Sequence, residues 1–128
     1  MIITAACHCG DVRIDMHRKP RSLTTCNCSV CRRYGAIWAY FTRKSVDFGF
    51  EPGAVSAYAW GDSAIEFFHC NRCGCVTHWE RAVKEGDDTR VAVNVRNVNP
   101  AEVDSIPIRK LDGASSWKTL EEWAHGWA

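Results

Sequence analysis

The chain lacks any apolar stretch long enough to span a bilayer, any low-complexity segment, any long repeat and any surplus of charge. Each absence removes a class of function. A membrane helix needs about 20 apolar residues, so no membrane partner is expected. A formal net charge of +1 offers no basic face, so nucleic acid is not an expected partner either. No basic segment followed by a long apolar run opens the sequence; no secretory signal is expected, and the expected location is cytoplasmic. There is no Ser/His/Asp arrangement, Gly-rich phosphate loop or distinctive carboxylate pair to suggest a hydrolase or a nucleotide site.

What is abundant is cysteine. Eight are present, and all are clustered: Cys7 and Cys9, then Cys26, Cys28 and Cys31, then Cys70, Cys73 and Cys75. Gaps of one and two residues suit a metal better than disulfides. A disulfide demands a defined Cβ separation and dihedral that such neighbours meet only under strain. Zinc asks only that sulfurs lie about 2.3 Å from a common centre. Cytosolic thiols also remain reduced. Eight thiolates suffice for two four-coordinate zinc ions, although spacing alone does not divide them between the two. Two such centres would carry the formal charge to about −3, further from a nucleic-acid binder.

The remaining pattern predicts one mainly β domain over residues 1–128, with a core supported by 46% hydrophobic residues and six tryptophans. Val12, Ile14 and Met16 alternate with polar neighbours, predicting a half-buried strand over 10–17. The aromatic run 37–42 suits a strand covered on both faces. Further strands are predicted over 54–60, 64–69 and around Val91, Val93 and Val95. Trp117, Leu120, Ala124 and Trp127 recur at threes and fours, predicting a terminal helix. In strands, residues i and i+2 share a face, so Cys7 and Cys9 can point at one metal, as can Cys26 and Cys28. The two-residue gaps 28–31 and 70–73 match zinc knuckles.

Taken together, Cys7-His8-Cys9-Gly10-Asp11-Val12-Arg13, the run from Cys26 to Ala36, Phe68 to Cys75, and more loosely Ile108 to Gly113 with Trp117 resemble the glutathione-dependent formaldehyde-activating enzyme (GFA) family. The resemblance implies a zinc-bound β-sheet fold with short helices, shared with a Rab guanine-exchange chaperone. It implies a structural zinc on Cys7, Cys9, Cys70 and Cys73. It implies a second zinc on Cys26, Cys28 and Cys31, with Cys75 as the candidate fourth thiol. The family often has His where Asn27 stands, and its residue at position 75 varies.

The implied activity is that of a zinc-dependent carbon–sulfur lyase acting on S-(hydroxymethyl)glutathione-like conjugates. Cys26, Cys28 and Cys31 would form its reactive centre, and Arg32 would face the developing oxyanion. Glutathione carboxylates would suit Arg32, Arg33 or Arg72. Arginines beside thiolates also serve simply to neutralise them. The alternative function is a non-enzymatic zinc module of the exchange-chaperone type that binds a protein. His8 is expected at the surface, His69 and His78 as half-buried bystanders. Trp38, Tyr40, Phe41, Phe67, Phe68 and Trp79 are expected to be core, with Trp60 less firmly placed and a substrate pocket as the alternative reading.

Overall fold

The structure, a computed structural model, describes residues 2–121. Two sheets pack face to face. The smaller contains β1 (Ile3–Ala6), β2 (Arg13–Met16) and β5 (Val46–Gly49), all antiparallel. The larger adds β3 (Leu23–Cys26), β4 (Trp38–Thr42), β6 (Val55–Tyr58), β7 (Ile65–Cys70), β8 (Val76–Arg81), β9 (Arg90–Asn94), β10 (Ile108–Leu111) and β11 (Thr119–Leu120). Its order is β11-β10-β3-β4-β9-β8-β7-β6, and only β10 and β3 run parallel. A short helix, α1 (Ser29–Tyr34), follows β3.

Alternation decides which side chains meet. Ile3, Ala5, Ile14, Met16 and Val46 of the small sheet pack on Leu23, Ala39, Phe41, Val91 and Val93 of the large one. This is the main core. The opposite face of the large sheet carries Cys26, Trp38, Phe67, Trp79 and Ala92, with Cys31 from α1. Register enforces the grouping: Thr24 faces Trp38 across β3 and β4, Phe67 faces Trp79 across β7 and β8, and Leu111 pairs with Cys26. Cross-strand partners share a face of the pleat, so these residues surround one region of the sheet.

The strands predicted over 10–17, 37–42, 54–60, 64–69 and around Val91 are all present; the first and third are shorter than predicted at both ends, the second loses one residue, and the fourth is shifted by one. The terminal helix is corrected where it is described. Trp117 has φ 60°, a left-handed conformation that stops a helix, and Thr119–Leu120 pairs with β10 as a strand. Ala124 and Trp127 lie outside the described residues. No helix among the described residues is long and apolar enough to cross a membrane.

Candidate metal centres and the cavity above one of them

Two groups of sulfurs are assembled. In the first, Cys7 leaves β1 into a tight turn closed by a Gly10 N–H to Cys7 C=O bond, with Gly10 at φ 86°. Cys70 ends β7 in a matching turn, where Gly74 at φ 81° donates to the Cys70 carbonyl. Glycine adopts such positive φ without a steric penalty. The two turns face each other, so Cys7, Cys9, Cys70 and Cys73 converge from different sheets.

Their sulfurs all lie within 4.8 Å of one another, with Cys7 to Cys9 at 3.7 Å and Cys9 to Cys70 at 3.6 Å. Sulfurs at tetrahedral positions around zinc sit about 3.8 Å apart, whereas a disulfide is about 2.0 Å long. The donors therefore fit a zinc-sized ion and not a cystine. Backbone N–H groups of Val12, Arg72 and Cys73 donate to Cys7 or Cys70 sulfur, the outer-shell support typical of thiolate sites.

The second group is Cys26, Cys28 and Cys31, again within 4.8 Å. Cys26 is the last residue of β3. Cys28 is the N-cap of α1, its sulfur accepting the Cys31 N–H at 3.4 Å. The two-residue gap read as a knuckle is thus the first turn of a helix, which ends at Gly35 in the left-handed region. Trp38, almost fully buried, donates its indole N–H to Cys31 sulfur at 3.4 Å. This contact satisfies a donor that would otherwise be buried unpaired.

Crowding shows in the proton affinities. Hydrogen bonding from Cys26, then Cys31, holds the Cys28 thiol down to about 2, while Cys26 and then Cys28 push Cys31 far up. In the first group a backbone N–H of Asp11 favours the Cys9 thiolate. Desolvation and the neighbouring sulfurs of Cys70, Cys7 and Cys73 outweigh it and push Cys9 up to about 12. Full ionisation of either group therefore calls for a cation, which inverts this ordering.

Cys75 belongs elsewhere than expected. It packs with the first group, beside Cys7, Cys70 and Cys73, because its hairpin carries it past the turn at Gly74. The expectation that it completes the second group is thereby corrected. Arg32, one residue beyond Cys31 on α1, is exposed and is not among the residues that line the cavity described below. Arg33 donates to the Ser29 carbonyl at 2.9 Å, and Arg72 lies 3.7 Å from Asp11 near the first group.

His8 is exposed, as expected, and His69 is partly buried. His78 is fully buried, not half-buried. It stacks flat on Phe68 at 4.6 Å, with Phe48 of β5 on another side, in the layer between the sheets.

A cavity of about 420 Å³ opens directly over the second group, and Cys26, Cys28 and Cys31 line it. Trp38, Tyr40, Phe67 and Trp79 form its floor and walls, and Trp60 and Trp117 stand at its rim. Four of the aromatics expected to be plain core thus face a pocket, while Phe41 and Phe68 lie on the opposite face of the sheet. The difference is parity: residues 38 and 40 point one way, 39 and 41 the other.

The loop after β10 completes the wall. Asn27 donates to Asp112 at 2.9 Å and accepts the Ala114 N–H at 3.0 Å. Asp112 in turn accepts from the Ser116 N–H and hydroxyl. This clamp carries Gly113 so close to the sulfurs that a Cβ there would lie 2.5 Å from Cys26 Sγ. Sequence reading missed the clamp and the roles of Trp60 and Trp117.

The model of the glutathione-dependent formaldehyde-activating enzyme family matches residues 2–107. The chain belongs to this family. Among solved structures, a Rhodobacter sphaeroides protein from a structural genomics programme is 28% identical, with a TM-score of 0.66, over 83% of this chain and 99% of that one. A search of curated proteins gives no significant match. Both sulfur groups fall inside the family match, whereas Leu111, Gly113 and Trp117 of the cavity come after residue 107. Membership supports a glutathione-dependent, formaldehyde-activating type of function at the level of the family.

Proposed function

We propose that the protein binds two zinc ions and acts as a carbon–sulfur lyase on thiol adducts of the S-(hydroxymethyl)glutathione type. The observation that carries this reading is that Cys26, Cys28 and Cys31 stand together on the wall of a cavity, with Cys75 placed at the other group. Three thiolates with an exchangeable fourth position characterise a reactive zinc, and four cysteines a structural one. Zinc held by the three supplies Lewis acidity and a position where an incoming thiol ionises near neutral pH.

The residues around it serve the chemistry. Addition of a thiol to an aldehyde forms a C–S bond, opens the carbonyl π bond and moves the thiol proton to the new hydroxyl; cleavage reverses each change. Burial raises the Tyr40 phenol, so it keeps its proton and can donate a hydrogen bond to the adduct oxygen. Further cations suit the carboxylates of glutathione. Arg18, Lys19, Arg21 and Arg109 line a cleft that shares Tyr40 with the cavity. Ser22 of that cleft immediately precedes β3, whose far end is Cys26, a separation of about 13 Å at about 3.3 Å per residue that suits an extended tripeptide. Arg109 is fixed there by donation to Thr24 Oγ1 at 3.2 Å.

Calorimetry on the zinc-loaded protein tests the proposal. Glutathione should bind, Cys28→Ser should abolish binding with most of the fold retained, and Arg109→Ala should weaken glutathione more than 2-mercaptoethanol. No heat from any thiol at millimolar concentration would make this a closed, structural zinc protein.

A further inference from the structure

Formaldehyde adds a single carbon to its carrier thiol and has no use for a large apolar chamber. The cavity over Cys26, Cys28 and Cys31 measures about 420 Å³, within the roughly 300–1,000 Å³ of pockets that enclose a whole small molecule. Among the described residues its lining contains no Lys, Arg or His, and the one carboxylate there, Asp62, is exposed at the edge and holds the Ala64 N–H. The interior is aromatic: Trp38, Phe67 and Trp79 are buried around the sulfurs.

The rim has the same character. Trp60 is 46% exposed and Trp117 68% exposed, and the two line one cavity, the grouping of exposed apolar side chains that marks a binding groove. Trp117 also holds φ 60°, an unfavourable conformation for a non-glycine residue, fixed by its N–H bond to the Asp112 carbonyl at 2.8 Å. The Asn27–Asp112 clamp ties this loop to the residue between two of the site's cysteines. A costly conformation and an exposed indole are thus maintained beside the reacting centre.

We infer that the electrophile-derived part of the substrate is a bulky apolar group of aromatic size, received between Trp60 and Trp117 with its sulfur at Cys26, Cys28 and Cys31. This rests on the proposed thiol-binding role of that centre and deepens it. The anionic carrier lies in the basic cleft, and the apolar group fills the cavity. An anionic group is disfavoured there because π faces and thiolates repel it and no cation lines the wall among the described residues.

The test uses cobalt-substituted protein, whose sulfur-to-cobalt absorption reports thiol ligation. Three thiols are titrated: 2-phenylethanethiol, 2-mercaptoethanol and cationic thiocholine. The aryl thiol should bind at least about tenfold tighter than 2-mercaptoethanol, the gain expected from burying a ring. Trp117→Ala should reduce that ratio at least fivefold, and Trp60→Ala, at the other exposed rim position, should act in the same direction. Benzyl alcohol, which carries the ring without the thiol, should compete with the aryl thiol. Equal affinities for the aryl thiol and 2-mercaptoethanol, or preference for thiocholine, would overturn the inference while leaving thiol binding intact. No spectral change with any thiol would instead overturn the reading of the centre, and this inference with it.

Discussion

Replacing one sulfur in each group separates their contributions to stability. In Cys70→Ser the loss falls on a cluster that joins β1 and β7, two strands from different sheets, with Cys9 and Cys70 separated by 61 residues. In Cys28→Ser the cluster lost spans only Cys26 to Cys31. A crosslink stabilises by removing loop-closure entropy from the unfolded chain, a term growing as (3/2)RT ln n. Loops of about 61 and about 5 residues then differ by roughly 2 kcal/mol. At an unfolding entropy of about 2.1 cal/mol/K per residue, this lowers the melting temperature of Cys70→Ser by about 7 °C relative to Cys28→Ser. Cys70 is also fully buried and accepts two backbone N–H groups, which adds to its cost. Scanning calorimetry of both variants, with zinc content measured on the same samples, is the assay. Retention of one zinc by each variant together with equal melting temperatures would refute the reasoning.

Two further outcomes follow from the geometry. Gly113→Ala should disturb the second centre and leave the first alone, because the new Cβ would lie 2.5 Å from Cys26 Sγ and 3.3 Å from Cys28 Cβ. Zinc titration should show one site weakened about tenfold or more, with a melting shift of only a few degrees; two undisturbed sites would contradict the close approach. His78 should make the fold acid-sensitive. Burial, then repulsion by Arg43 and Lys84, lowers its pKa from the ordinary 6.5 to about 3. Between those values the unfolded chain takes up a proton that the folded chain refuses, so stability falls as pH drops, by up to about 1.4 kcal/mol per unit. His78→Gln should flatten this limb in urea titrations of the zinc-loaded protein, where thiolate protonation acts on both proteins alike; parallel limbs would exclude the histidine as a cause.

Much of the site was legible because its chemistry is local. Cysteines one to three residues apart must share a small volume whatever the fold, so the runs at 7–9, 26–31 and 70–73 announced metal-sized clusters. Strict alternation of Val12, Ile14 and Met16 likewise announced a strand, since period two has one structural meaning. The spacing of Trp117 and Leu120 misled, because periodicity carries no information about a left-handed residue within it.

What pairs with what was a tertiary decision. Cys70 joins Cys9, and Cys75 goes with them and not to Cys26, because the β7–β8 hairpin delivers its whole turn to the end of β1. The aromatics divide into core and cavity wall by sheet parity and by which face α1 and the 112–117 loop leave uncovered. The sequence by itself determined the donor atoms and their local grouping, which depend on bonded geometry over a few residues. Only the tertiary structure decided where those groups open to solvent and what surrounds them, because that depends on contacts between residues such as Asn27 and Asp112 that lie 85 positions apart.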